Sequence, residues 1–215
     1  TLNPPGTATA MRPRPFLLPL AAVLMLLALP GALADEGPGP QVGLAGSYDT
    51  SGIANDVAVS GAYAYITAGS EGLVVVDVSD PTNPTRAGGY DTSGIARGVA
   101  VSGGYAYVAA GSEGLVMVDV SNPWNPTYAG GYDTSGDAYG VAVAGGYAYV
   151  ADSGGGLVVV DVSDPANPAQ VGGYDTSGSA RGVAVVGGYA YVADGYEGLV
   201  VVDVSDPANP TRAGG

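Results

Sequence analysis

Hydrophobic residues in this chain fall in short runs broken by turn residues, not at helical spacing. Val57-Ala58-Val59, Tyr63-Ala64-Tyr65-Ile66 and Leu73-Val74-Val75-Val76-Asp77-Val78 are separated by Ser60-Gly61 and by Gly69-Ser70-Glu71-Gly72. After the third run, Asp80-Pro81-Thr82-Asn83-Pro84 leads to a fourth segment around Gly89-Tyr90-Asp91. Such runs, bounded by Gly, Pro, Asp and Ser, predict four short strands, here lettered a to d. Strand b alternates large and small side chains, as a pleat requires. Strand c is apolar throughout, which marks a strand buried on both faces.

This pattern returns every 42 residues. Tyr48, Tyr90, Tyr132 and Tyr174 hold one register, and Asp77, Asp119, Asp161 and Asp203 hold another. A fixed period of about 40 residues with four antiparallel strands per unit is the pattern of a β-propeller blade. A β-helix would use shorter, parallel coils, and a string of isolated hairpin sheets could not bury strand c on both sides. The expected fold is therefore all-β: a β-propeller of four-stranded antiparallel blades built from four 42-residue repeats. Gly46-Ser47-Tyr48-Asp49-Thr50-Ser51-Gly52 reads as a strand d lacking its own a, b and c. Thr211-Arg212-Ala213-Gly214-Gly215 begins a further strand d and stops short of its Tyr. These ends carry the expectation that the natural protein continues into a larger propeller, and that the four repeats form a strained ring or an open arc.

The strand c motifs Leu73-Val74-Val75-Val76-Asp77 and Leu157-Val158-Val159-Val160-Asp161 resemble the LVIVD repeat family. Tyr107-Val108-Ala109 and Tyr149-Val150-Ala151 also look like surface-layer YVTN propeller repeats. The resemblance covers residues 41–215 and recurs in register with the Asp-Pro-x-Asn-Pro turn; Met117 departs from it by replacing a central Val. It implies a β-propeller on exported, often surface-associated, prokaryotic proteins, with no shared catalytic residues to carry over.

Composition narrows the chemistry. The 215 residues include no Cys, His or Lys, which removes disulfides, thiolate or imidazole ligands, His or Cys catalysis and Schiff-base chemistry. The net charge of −14 disfavours a phosphate backbone as partner, so no nucleic acid is expected. Gly at 37 and Tyr at 15 of 17 aromatic residues fit sheets joined by tight turns. Asp, Glu and Tyr remain as acid–base candidates, but tandem identity works against an active site, which needs unique residues. The chain thus reads as a non-catalytic scaffold for a protein or surface polymer. The alternatives are a structural surface-layer or spacer module, or the non-catalytic part of a larger exported enzyme.

The N-terminal region reads as an export signal. Met11 with Arg12 and Arg14 is followed by an apolar run from Phe16 to Pro30 and by Ala32-Leu33-Ala34. The run has 15 residues, short of the roughly 20 that span a bilayer, and prolines punctuate it. Residues 1–10 are expected to be upstream sequence, 11–34 a signal peptide cleaved after Ala34, and 35–40 a spacer. A secreted or cell-surface location follows, with no integral membrane span after signal removal.

Candidate contacts come from the loops. Antiparallel order places the b–c and d–a loops at one end of the blades, and both vary between copies. Arg97, Tyr139 and Arg181 stand in d–a loops, Tyr196 in a b–c loop, and Asp152 and Asp194 replace Ala68 and Ala110 just before it. These six are the expected ligand or partner contacts. The recurrent acids in Tyr-Asp-Thr-Ser-Gly, at the end of strand c and before Pro are expected to hold turn amides. Ca²⁺ capture is the alternative for those acids, though no EF-hand-like spacing is present and Asn122 replaces one of them; otherwise no cofactor is expected. Trp124, in the c–d turn, is a further candidate anchor.

Overall fold

The computed structural model describes residues 43–213. The expected upstream sequence, signal peptide and spacer lie outside them. Sixteen strands form four sheets, each antiparallel and in chain order. The first holds β1 (Asp56–Ser60), β2 (Tyr63–Thr67), β3 (Leu73–Asp77) and β4 (Thr85–Tyr90). The second holds β5 (Gly98–Ser102), β6 (Tyr105–Ala109), β7 (Leu115–Asp119) and β8 (Thr127–Tyr132). The third holds β9 (Gly140–Ala144), β10 (Tyr147–Ala151), β11 (Leu157–Asp161) and β12 (Ala169–Tyr174). The fourth holds β13 (Gly182–Val186), β14 (Tyr189–Ala193), β15 (Leu199–Asp203) and β16 (Thr211–Arg212). Strands a, b and c stand where the pattern placed them. Strand d starts earlier, at Thr85 directly after Pro84. A bulge obscures it: Val75 faces Gly88 while Val76 faces Arg86, leaving Ala87 unmatched, and the second and third sheets repeat the irregularity.

The sheets meet face to face, with strands a nearest one another: β1 packs beside β5, β5 beside β9, and β9 beside β13. Strand c alternates between its two neighbours. Leu73 and Val75 join the cluster shared with the second sheet, whereas Val74 and Val76 belong to the opposite side. This explains the unbroken apolar run, since both pleat faces are dry. Each face towards the following sheet is bulky: Tyr107, Leu115 and Met117 in the second sheet are 5%, 0% and 0% exposed. The face they meet on the third sheet is smaller, built from Val141, Ala148, Val150, Val158 and Val160. Large against small lets the wedges interdigitate without voids. Met117 sits in this cluster as a core residue.

Neighbouring sheets also approach through glycine. A Cβ on Gly88, Gly130 or Gly172 would collide with the carbonyl of Pro123, Pro165 or Pro207 in the following repeat's c–d turn. The segment before β1 makes the same approach: Gly46 lies against the Pro81 carbonyl and Tyr48 packs on Ala64, Val74 and Val76. It therefore covers the first sheet as strand d of a preceding repeat would, which is how its sequence reads.

Among the described residues no further sheet covers the last one. Leu199 is 66% exposed, whereas Leu73, Leu115 and Leu157 are at 0%, and Val57 in β1 is 57% exposed against 6% for Val99. Of the two arrangements expected, the described sheets form an open arc.

Two substitutions test this packing. Leu115→Ala is expected to cost about 2–5 kcal/mol through lost transfer energy and an unfilled cavity. Gly130→Ala, which adds only a methyl group, is expected to lower the melting temperature because the Pro165 carbonyl must move. Urea and thermal melts measure both; an unchanged midpoint for Leu115→Ala would contradict the assigned junction.

Candidate functional site

The d–a and b–c loops converge at one end because backbone bonds tie them across the junctions. Ala96 N–H donates to the Gly69 carbonyl at 3.0 Å. Gly111 pairs reciprocally with Ala138, and Ser153 with Ala180. Thr67 Oγ1 donates to the Arg97 carbonyl at 3.0 Å, and Asn55 Nδ2 to the Ala96 carbonyl at 2.7 Å. The residue just before strand a is thus held beside its counterpart in the next repeat. In chain order these equivalent residues are Asn55, Arg97, Tyr139 and Arg181.

Three of the six expected contacts come together there. The Arg97 guanidinium lies over the Tyr139 ring with its Cζ 4.1 Å from the centroid, and that of Arg181 lies 5.8 Å away. Such contacts are worth roughly 0.5–1 kcal/mol when exposed and more when dry. Arg97 Nε is buried with no hydrogen-bond partner. Among the described residues neither Arg97 nor Arg181 makes a salt bridge; the one ion pair is Arg86–Glu71. Tyr196 is fully exposed in a single 3-10 turn, Gly195–Glu197, and shares with Ser179 and Arg181 an open recess of about 330 Å³.

Asp152 and Asp194 do not join this surface. Both are 0% exposed and turn towards the Thr-Ser-Gly segment of the preceding repeat. Asp152 Oδ1 accepts from Thr134 Oγ1 at 2.5 Å, and Oδ2 accepts from Gly136 N–H at 2.8 Å. Asp194 Oδ1 accepts from Thr176 Oγ1 at 2.6 Å. In the first sheet the same task falls to Glu71, whose Oε2 accepts from the amides of Ser51 and Gly52. Ala68 with Glu71 has become Asp152 with Gly155: the carboxylate moved three residues along the chain and kept its amide. That paired exchange is visible between the repeats and marks Asp152 as an anchor of the turn; the fourth copy keeps an acid, Glu197, at the Glu71 position, and Asp194 holds the turn through Thr176 alone.

Charge follows from these surroundings. Burial pushes the Asp152 carboxyl above its ordinary range, against the opposing bonds from Thr134 and Gly136, and Asp137 and Asp133 nearby add to the rise. Glu71 goes the other way, lowered to about 2 chiefly by Arg86 and then by Ser51.

Two of the three sets of recurrent acids hold turns throughout, as their pattern suggested, and in Tyr-Asp-Thr-Ser-Gly Asp91 and Asp175 do so. Asp77, Asp119, Asp161 and Asp203 each accept from the amide of the serine two residues on, all at 2.9 Å. Asp80, Asn122, Asp164 and Asp206 accept from the amides of Thr82, Trp124, Ala166 and Ala208, again two residues on. Among the described residues no three acids cluster to hold a metal ion, and no helix is long and apolar enough to cross a membrane. Trp124 lies 57% exposed on the opposite, c–d end.

With four radial sheets and their common loop end in place, the comparisons fall into line. The LVIVD repeat model matches residues 51–92, 93–134, 135–176 and 177–214. The chain belongs to the LVIVD repeat family. No curated protein matches it. Among solved structures it is similar to the computationally designed Ika4 protein, with TM-score 0.57 and 9% identity over 75% of this chain and 97% of that one. It is also similar to Myxococcus xanthus glutaminyl cyclase, with TM-score 0.50 and 16% identity over 75% of this chain and 71% of that one. At these identities both likenesses concern the fold alone. An LVIVD propeller is a repeat scaffold.

The two carboxylates predict opposite pH responses. Asp152 binds its proton more tightly when folded, so its contribution to stability falls as pH rises from about 4 through its raised pKa. The melting-temperature advantage of the native chain over Asp152→Asn should therefore shrink across that window. For Glu71→Gln the native advantage should be complete above about pH 4.3 and disappear as pH falls towards 2. Differential melts from pH 2 to 8 read both; parallel curves for native and variant chains would show that these groups do not titrate as their surroundings require.

Proposed function

We propose that this LVIVD propeller is a non-catalytic scaffold, exported to the cell surface, that docks a carboxylate-bearing protein or surface polymer at the axial mouth formed by Arg97, Tyr139 and Arg181. One observation carries the reading. Two guanidiniums from different repeats converge on one tyrosine, free of acidic partners among the described residues, in a chain with 20 acids. A guanidinium presents a rigid fork of donors that matches a carboxylate, and Arg97 Nε is a buried donor still to be used.

The leader-like N-terminus supports export, and the absence of Cys, His and Lys supports binding without chemistry. Tyr196, exposed beside Arg181, extends the contact surface towards a larger partner.

Calorimetric titration with a galacturonate trisaccharide and, separately, a hexaglutamate peptide tests the proposal and separates polymer from protein sources. Binding of either is expected, weakened by added salt and reduced at least about tenfold, or 1.4 kcal/mol, in Arg97→Glu/Arg181→Glu. Equal heats for native and doubly reversed chains, or none with either probe, would refute the carboxylate assignment.

A further inference from the structure

Two equivalent positions on the rim change together from copy to copy. They read Glu71 with Arg86, Glu113 with Tyr128, Gly155 with Gln170, and Glu197 with Arg212. In the first and fourth copies an arginine accompanies the acid, and in the third both are gone. The second copy breaks the rule: it keeps its carboxylate and exchanges the cation for a ring.

The first copy shows what this frame holds. Arg86 pairs with Glu71 and lies beside Tyr48, so a carboxylate and a tyrosine hold one guanidinium between them. The second copy keeps both holders, since Glu113 is the equivalent of Glu71 and Tyr90 of Tyr48. Tyr128 follows the course of Arg86: its hydroxyl lies over Gly131 as the Arg86 guanidinium lies over Gly89. Its ring stacks on Tyr90 with centroids 6.3 Å apart. Glu113 is left without a cation, because among the described residues the one ion pair is Arg86–Glu71. The turn amide has also changed hands. Ser51 N–H donates to Glu71, whereas its equivalent, Ser93 N–H, donates to Asp91. Glu113 thus stands exposed at a recess of about 290 Å³ that Tyr90, Tyr128, Tyr132 and Asp133 also line. The first two sheets alone supply its walls.

We propose that this recess binds an arginine side chain of a protein partner, its guanidinium paired with Glu113 and laid against the tyrosine rings. The partner supplies from outside the cation that Arg86 supplies from within in the first copy. A guanidinium suits the recess better than an ammonium: it is planar, stacks on an aromatic face and offers a carboxylate two parallel donors. A cation within about 6 Å of a ring centroid is further attracted by the ring. The net charge of −14 draws a basic partner towards the whole surface; Glu113 and the rings fix where its arginine sits. This site is independent of the axial mouth. It takes a cation, whereas Arg97 and Arg181 take a carboxylate, and it lies along strand d, the strand farthest from the strands a.

NMR titration of the chain with a blocked glycyl-arginyl-glycine peptide, and with its lysine counterpart, tests the assignment. The arginine peptide should shift the resonances of Tyr90, Glu113 and Tyr128 and bind more tightly than the lysine peptide. Glu113→Gln should weaken binding at least about threefold, near the worth of one exposed ion pair. Glu197→Gln, which removes the same charge from another rim position, should leave it unchanged. Tyr128→Arg recreates the combination that the first copy already folds with, so it should keep the native circular dichroism spectrum and abolish binding by filling the recess from within. Absent binding, equal affinity for the lysine peptide, equal weakening by both glutamine variants, or undiminished binding in folded Tyr128→Arg would each overturn the proposal.

Discussion

The structure depends on one requirement: strand c must be dry on both faces. A four-stranded sheet by itself can bury one side at most through its own strands, and here neither side has a helix to cover it. Leu115 and Met117 need the third sheet, while Val116 and Val118 need the first. Burying such side chains is worth about 1.5–3 kcal/mol each, so the unit of stability is the junction between sheets and not the sheet. Everything that varies slowly along the chain serves that junction: Tyr and Leu facing forward, Ala and Val facing back, and glycine wherever one backbone must touch another.

The requirement also explains what could be read from the chain before its structure. Strands a, b and c were legible because their apolar runs reflect burial directly, and the 42-residue period fixed how many times they occur. Strand d was placed late because its information is negative. Gly88 and Gly89 are there for close approach to Pro123 and to the Leu73 carbonyl, and the bulge at Ala87 breaks alternation, so no hydrophobic pattern announced Thr85 as its start.

At the site, the common end of the d–a and b–c loops followed from antiparallel order alone. Convergence of Arg97, Tyr139 and Arg181 needed one more fact, that strands a lie nearest one another, so that equivalent residues before them meet. Asp152 and Asp194 were misleading for a physical reason. A carboxylate that replaces alanine next to a variable loop looks like new surface chemistry, but both turn inward to the Thr-Ser-Gly turn, Asp152 in place of Glu71 and Asp194 beside a retained Glu197.

That substitution shows how a tandem repeat can diverge at all. A change in one copy is tolerated when its partner in the adjoining copy accepts it, and the rim bears this out with a constant tyrosine beside a variable residue. Arg86 is held first by Glu71 and also by Tyr48; Tyr90 stacks on Tyr128 with centroids 6.3 Å apart; Tyr132 donates to Gln170 at 3.0 Å. Tyrosine serves cation, ring and amide alike because it offers both a π face and a hydroxyl. At the rim, then, diversity is absorbed by the junction and leaves no buried group unmatched. The axial mouth differs: there a change from Asn55 to Arg97 to Tyr139 to Arg181 leaves Arg97 Nε without an acceptor inside the protein. An unmatched buried donor is costly to keep; of the two buried side-chain atoms left without a partner among the described residues, Asp194 Oδ2 lies inside the turn beside Gly178, whereas Arg97 Nε lies at the mouth, where something from outside is expected to bind.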